Sequence, residues 1–138
     1  MAEPLETAAL VHWPAFSQAR AELGANFVRI LGYFREDGIK SLDAIESAMR
    51  TGSAAALVIP AHTLKGESRQ FGAETLADCA ESIETIARAC VESRDAPGEA
   101  LEHVVRLRPI FNATLSLLER ESNPLVERRP QFGRRAAG

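Results

Sequence analysis

The sequence predicts an all-α protein: an antiparallel up-down-up-down four-helix bundle with a short additional N-terminal helix. Three observations lead there. Almost every long segment repeats its apolar residues at helical spacing, and none alternates as a half-buried strand would. The breaks between segments are short, and short connections make consecutive helices antiparallel. With 138 residues, 46% of them hydrophobic, the chain is sized for one compact domain with an ordinary core.

Pro14 suits the first turn of the opening helix, and Gly24 can end it. A long second helix is expected from Ala25 to Thr51, with Phe27, Ile30, Leu31, Phe34, Leu42, Ile45 and Met49 as its apolar stripe and Gly38 weakening its middle. Thr51-Gly52-Ser53 marks a turn. The next helix runs to Phe71 and contains Pro60, which removes a backbone donor and predicts a kink near Ala56 to Ile59. Gly72 closes it. A fourth helix follows from Glu74 to Ser93, turning Leu76, Cys79, Ala80, Ile83, Ile86, Ala87 and Cys90 inward. After the loop Arg94 to Gly98, the last helix spans Glu99 to Glu121 and buries Leu101, Val104, Val105, Phe111, Leu115 and Leu118, with Pro109 as a second kink candidate. The bundle is thus assigned to residues 1–123, and the Pro-, Arg- and Gly-rich segment 124–138 to a flexible tail.

Charge follows the same division. The formal net charge is −3, with net −6 on residues 1–123 and net +3 on the tail. An acidic body argues against a nucleic-acid partner. No apolar run approaches the roughly 20 residues that span a bilayer, and the acidic start Met1-Ala2-Glu3-Pro4 lacks the basic and apolar regions of a secretory signal; the expected compartment is the cytoplasm. Cys79 and Cys90 lie about 16 Å apart along one helix, too far to bridge each other, and read as buried, reduced thiols. There is no phosphate-binding Gly-x-x-x-x-Gly-Lys-Ser/Thr loop and no Glu-x-x-His pair, so neither a nucleotide nor a metal ligand is expected on this chain.

The chemistry concentrates in Ala61-His62-Thr63-Leu64-Lys65-Gly66 and its continuation Glu67-Ser68-Arg69-Gln70-Phe71-Gly72-Ala73. At 100° per residue, His62, Lys65 and Gly66 share one side of the helix, while Leu57, Ala61, Leu64, Ser68 and Phe71 form the opposite, core-seeking stripe. The histidine then faces water, with a cation one turn away to neutralise an anion and a glycine that leaves the approach to the ring open. Reversal of the chain at Gly72-Ala73 places Glu84 level with His62 across the hairpin.

This string closely resembles the signature of histidine-phosphotransfer domains, which relay phosphoryl groups in multistep two-component signalling. His62, Leu64, Lys65, Gly66, Ser68, Gly72 and Ala73 stand at the positions that the family pattern prescribes. Glu67 departs from it, occupying a place usually held by a small residue, and is expected to add negative charge near the site. The resemblance implies that His62 accepts the phosphoryl group at Nε2, that Lys65 neutralises the phosphoryl oxygens, and that Glu84 holds Nδ1. It further implies that the partners are receiver domains of response regulators and hybrid histidine kinases, that the protein is a carrier with no ATP-binding or kinase activity of its own, and that Mg²⁺ comes with the receiver.

Gly66, Val58 and Ile59 are candidate binding positions, the last two as an apolar patch around the nucleophile that the second helix would complete. Arg69, Ser68 and Gln70 are candidates for polar contacts, although packing and solvation account for Ser68 and Gln70 equally well. A monomer is expected. Two other classes stay open: a histidine-bearing substrate domain of a larger chemotaxis-type kinase, and an adaptor bundle that is never phosphorylated.

Overall fold

The computed structural model describes residues 10–122. These fold into α1 (Trp13–Leu23), α2 (Phe27–Thr51), α3 (Ala54–Gln70), α4 (Glu74–Ser93) and α5 (Leu101–Ser122), with 3-10 turns at Gly24–Asn26 and Gly98–Ala100. α4 has the expected bounds and α3 ends one residue before Phe71, whereas α2 and α5 each start two residues later than the periodicity suggests, because a tight 3-10 turn precedes them. Ser53 caps α3 by accepting a hydrogen bond from the Ala56 amide at 3.1 Å. Neither Pro60 nor Pro109 ends its helix. The acidic start and the basic 124–138 tail lie outside the described residues.

Each long helix packs on its two neighbours, and α2 against α5 closes the ring of four. An ionic clasp seals that closing seam: the Arg108 guanidinium on α5 donates to Glu46 at 2.9 and 3.0 Å and to Asp43 at 2.9 Å, both on α2. No helix among the described residues is long and apolar enough to cross a membrane.

A chain of aromatic rings threads the core. Trp13 meets Phe16 edge-on, Phe16 meets Phe27, Phe27 meets Phe71, Phe71 meets Phe34 and Phe34 meets Phe111, with centroids 5.1 to 5.7 Å apart. Such contacts add roughly 0.5–1.5 kcal/mol each beyond area burial. They tie α1 to the far side of the bundle through α2, α3 and α5. Gly72 makes the α1 contact feasible. It has φ of 76°, its carbonyl accepts from the His12 amide at 2.7 Å, and a Cβ there would lie 2.6 Å from the His12 carbonyl oxygen.

The apolar stripes of α2 and α4 face inward as expected, with Ile30, Met49 and Ile86 only partly covered. On α5 the expectation needs correction: Leu101 and Val105 are more than half exposed, while Leu107, Ile110, Thr114 and Leu117 are buried. Val105 sits 100° around the helix from Val104, off the line Val104–Leu107–Phe111 that meets the core, and Leu101 occupies the first, uncovered turn.

Gly38 also has a different role from a mere weak point. It is buried on α2 beneath the Phe111 ring, and a Cβ would come within 2.7 Å of Phe111 Cζ. The ring is itself buried against Phe34 and has little room to retreat. Gly38→Ala is therefore expected to lower stability by about 1–3 kcal/mol through overpacking, although alanine is the better helix former by about 1 kcal/mol. Denaturant unfolding checks this, and a stabilised variant would contradict the packing account.

Candidate functional site

The inward series Leu57, Ala61, Leu64 and Ser68 is fully buried, which rotates His62 to the outer surface of α3. Its side chain is 58% exposed. Across the hairpin, Glu84 of α4 is buried, with a side chain only 7% exposed, and its Oε2 lies 3.0 Å from His62 Nδ1. An ionised carboxylate only accepts, so Nδ1 carries the proton and donates it, and the Nε2 lone pair lies on the opposite edge of the ring.

Three groups converge on Glu84. Lys65 Nζ pairs with Oε1 at 2.8 Å, and Arg88, one turn along α4, brings Nε and Nη2 to Oε2 at 2.8 Å each. Burial acting alone would raise the Glu84 pKa. Contacts from Lys65, Arg88 and His62 outweigh it and hold the carboxyl down at about 2. The acceptor facing the imidazole is thus a carboxylate throughout the physiological range.

A ladder of ion pairs fixes the level of α3 against α4 beside this cluster. Arg69 donates to Glu74 and Glu81 at 2.9 Å each and reaches Asp78 at 3.5 Å. Its guanidinium is engaged within the hairpin, some two turns from His62. Ser68 is wholly buried and its Oγ has no hydrogen-bond partner among the described residues; of the two accounts open for it, packing on the inward stripe with Leu64 holds, and it is not available as a polar contact for a partner. Gln70 is exposed at the end of α3, about 12 Å along the axis from His62, and is not brought to the imidazole. Gly66 is exposed, and a Cβ there would meet nothing within 4 Å, so the space beside the histidine is open.

Ile59 is 68% exposed, and Val58 is partly buried against the core. Together with Ala55, Arg88, Val91 and Glu92 they line a shallow groove of about 550 Å³. The apolar patch is therefore completed by α4, not by α2 as the sequence suggests. Arg88 and Val91 escaped the sequence reading. For Arg88 a signal existed, because a glutamate followed four residues later by an arginine is a standard helical pair.

The extra charge expected at Glu67 lies on the α2 side of α3. Glu67 turns toward Asp37 of α2, is half-buried, and has its Oε1 buried without a hydrogen-bond partner. Burial first, then the charge and hydrogen bond of Asp37, push its pKa up to about 7.

A solvent-facing histidine held at Nδ1 by a buried acceptor, on a four-helix antiparallel bundle, is the architecture of a phosphotransfer module. The chain belongs to the Hpt domain family, whose sequence model matches residues 29–121, the four long helices without α1. Members of this family are phosphoryl carriers of two-component relays rather than kinases. In three dimensions the chain is similar to histidine-containing phosphotransfer protein B of Pseudomonas aeruginosa PAO1, known from its crystal structure. The TM-score is 0.73 at 23% identity, covering 83% of this chain and 96% of that one, a likeness of fold. No curated protein matches the sequence.

The raised Glu67 pKa has a consequence for stability. Folded protein keeps this proton up to about pH 7, whereas an ordinary glutamate in the unfolded chain releases it near 4.5. Stability contributed at this position is therefore present below pH 4.5, declines as pH rises, and is lost above 7. Glu67→Gln should exceed the wild type by about 1–3 kcal/mol at pH 8 and match it closely at pH 4.5. Denaturant titrations at the two pH values test this; an equal difference at both would absolve the carboxyl.

Proposed function

We propose that this protein is a cytoplasmic, monomeric phosphorelay intermediate that takes a phosphoryl group from a receiver-domain aspartate onto His62 and passes it to a second receiver, or back. The observation that carries this reading is the Nδ1 contact to Glu84 combined with exposure of the opposite ring edge. In the forward step the Nε2 lone pair attacks the phosphorus of the acyl phosphate. The Nε2–P bond forms as the bond from phosphorus to the aspartyl oxygen breaks, and the carboxylate leaves with the electron pair. The ring that results carries a proton on Nδ1 and the phosphoryl group on Nε2. It is formally cationic, and the Glu84 carboxylate lies against that charge. Onward transfer is the reverse, with a receiver carboxylate as the nucleophile and Nε2 as the leaving group.

Lys65 supplies positive charge for the phosphoryl oxygens, where an electrostatic contact in place before the reaction is worth most. Gly66 leaves the attacking edge unobstructed. The divalent cation that such a transfer uses belongs to the receiver. Docking is assigned to the α3–α4 groove beside His62, with Val58, Ile59 and Val91 as an apolar centre and Arg88 and Glu92 at its rim, the composition of a small transient interface.

Two measurements test this reading. His62→Gln should retain the helical spectrum and lose all acid-labile labelling by phosphoramidate, a small donor whose P–N bond breaks with release of ammonia; surviving label would relocate the acceptor. Ile59→Asp places a charge in the groove without touching the core. It should raise the half-saturating concentration of a receiver that labels the wild type about tenfold, equivalent to roughly 1.4 kcal/mol, and leave the saturated rate near normal. An unchanged half-saturation would remove the groove from the docking surface.

A further inference from the structure

The two oxygens of Glu84 have divided allegiances. Oε2 takes the His62 ring and the Arg88 fork, while Oε1 takes Lys65 alone. This division matters once His62 is phosphorylated, so the inference rests on the phosphoacceptor reading. A phosphoryl group brings nearly two negative charges within one helical turn of Lys65, whose ammonium then has two claimants. Were Lys65 the only other counter-ion of Glu84, its departure would leave the buried carboxylate with the His62 ring alone to compensate it, although burial of an anion demands well-placed partners. It would also free that carboxylate to rotate away from Nδ1.

Arg88 removes the conflict. Its contact is internal to α4, four residues from Glu84, and does not depend on where Lys65 points. It grips the same oxygen that accepts from Nδ1. We propose that Arg88 is a positioning residue that releases Lys65 for the phosphoryl group: it keeps Glu84 compensated and aimed at Nδ1 while the Lys65 ammonium moves from Oε1 to the phosphoryl oxygens. Counted as Lys65, Arg88 and Glu84 with a neutral ring, the cluster holds net +1 before transfer, and the phosphoryl charge together with the cationic ring it creates brings it to about 0. Without Arg88 the same arrival leaves about −1, with a single ammonium shared between the carboxylate and the phosphoryl oxygens.

The test uses the full chain, labelled by phosphoramidate so that no docking contact enters, and compares the wild type with Arg88→Met, Glu84→Gln and the double variant. Methionine keeps an unbranched stem over the surface and removes the fork, and thermal melts confirm folding. Arg88→Met should shorten the phosphohistidine half-life about tenfold and shift the acid limb of the labelling rate to higher pH, as Glu84 becomes easier to protonate. A glutamine at 84 needs no counter-ion, so adding Arg88→Met to Glu84→Gln should change the half-life less than twofold. Equal losses in both backgrounds would overturn the proposal, as would an unchanged half-life in the single variant. If the wild type carries no label on His62, the acceptor reading falls and this inference with it. If it labels normally and Arg88→Met does too, only the inference fails.

Discussion

A single buried carboxylate organises the working face of the molecule. Glu84 lies inside the α3–α4 hairpin with its side chain almost wholly covered, and burial of an anion costs several kcal/mol unless partners meet it. Lys65, Arg88 and His62 do so from two helices. Because those partners include His62 and its neighbouring cation Lys65, the requirement to compensate Glu84 is the same requirement that orients the imidazole. Removing the acid would loosen both at once. Replacing it with an amide would keep the hydrogen bond to Nδ1 and abolish the competition for Lys65.

That arrangement depends on register. Helices rise 1.5 Å per residue, so a slip of one turn would separate Nδ1 from Oε2 by several ångströms. The Arg69 contacts to Glu74, Asp78 and Glu81 bind the two helices near their shared turn, and the left-handed Gly72 sets where the chain reverses. The same glycine receives the start of α1 through the His12 amide. From there the aromatic chain carries the packing through Phe27, Phe71 and Phe34 to Phe111, whose ring lies on Gly38. The turn that levels His62 with Glu84 is thereby continuous with the core.

Charge is handled differently on the two flanks of α3. Toward α4, acids and bases alternate and pair. Toward α2, Glu67 meets Asp37, and burial favours a protonated carboxyl near neutrality. The negative charge that the sequence places at Glu67 is therefore only partial near neutrality, while Lys65 and Arg88 supply the positive charge on the other flank, beside the clearance at Gly66.

Much of this was legible in the amino-acid sequence, for reasons of period and symmetry. Helical spacing located the four long elements and the inward series Leu57, Ala61, Leu64 and Ser68, because side chains three and four apart must share a face. An antiparallel pair rising equally per residue on both sides sets residues equidistant from Gly72-Ala73 level, and that alone placed Glu84 beside His62. Composition of the motif fixed the family. What spacing could not supply was the choice among neighbours. Whether Glu67 looks toward α2 or toward solvent, whether Val58 and Ile59 are joined by α2 or by Val91 of α4, and which side of α5 turns inward at Leu101 and Val105 depend on how helices rotate as they close the ring. The seat of the Phe111 ring over Gly38 joins residues far apart in the chain, and only the packed bundle brings them together, since no local interaction records which distant ring will need the room that a missing side chain leaves.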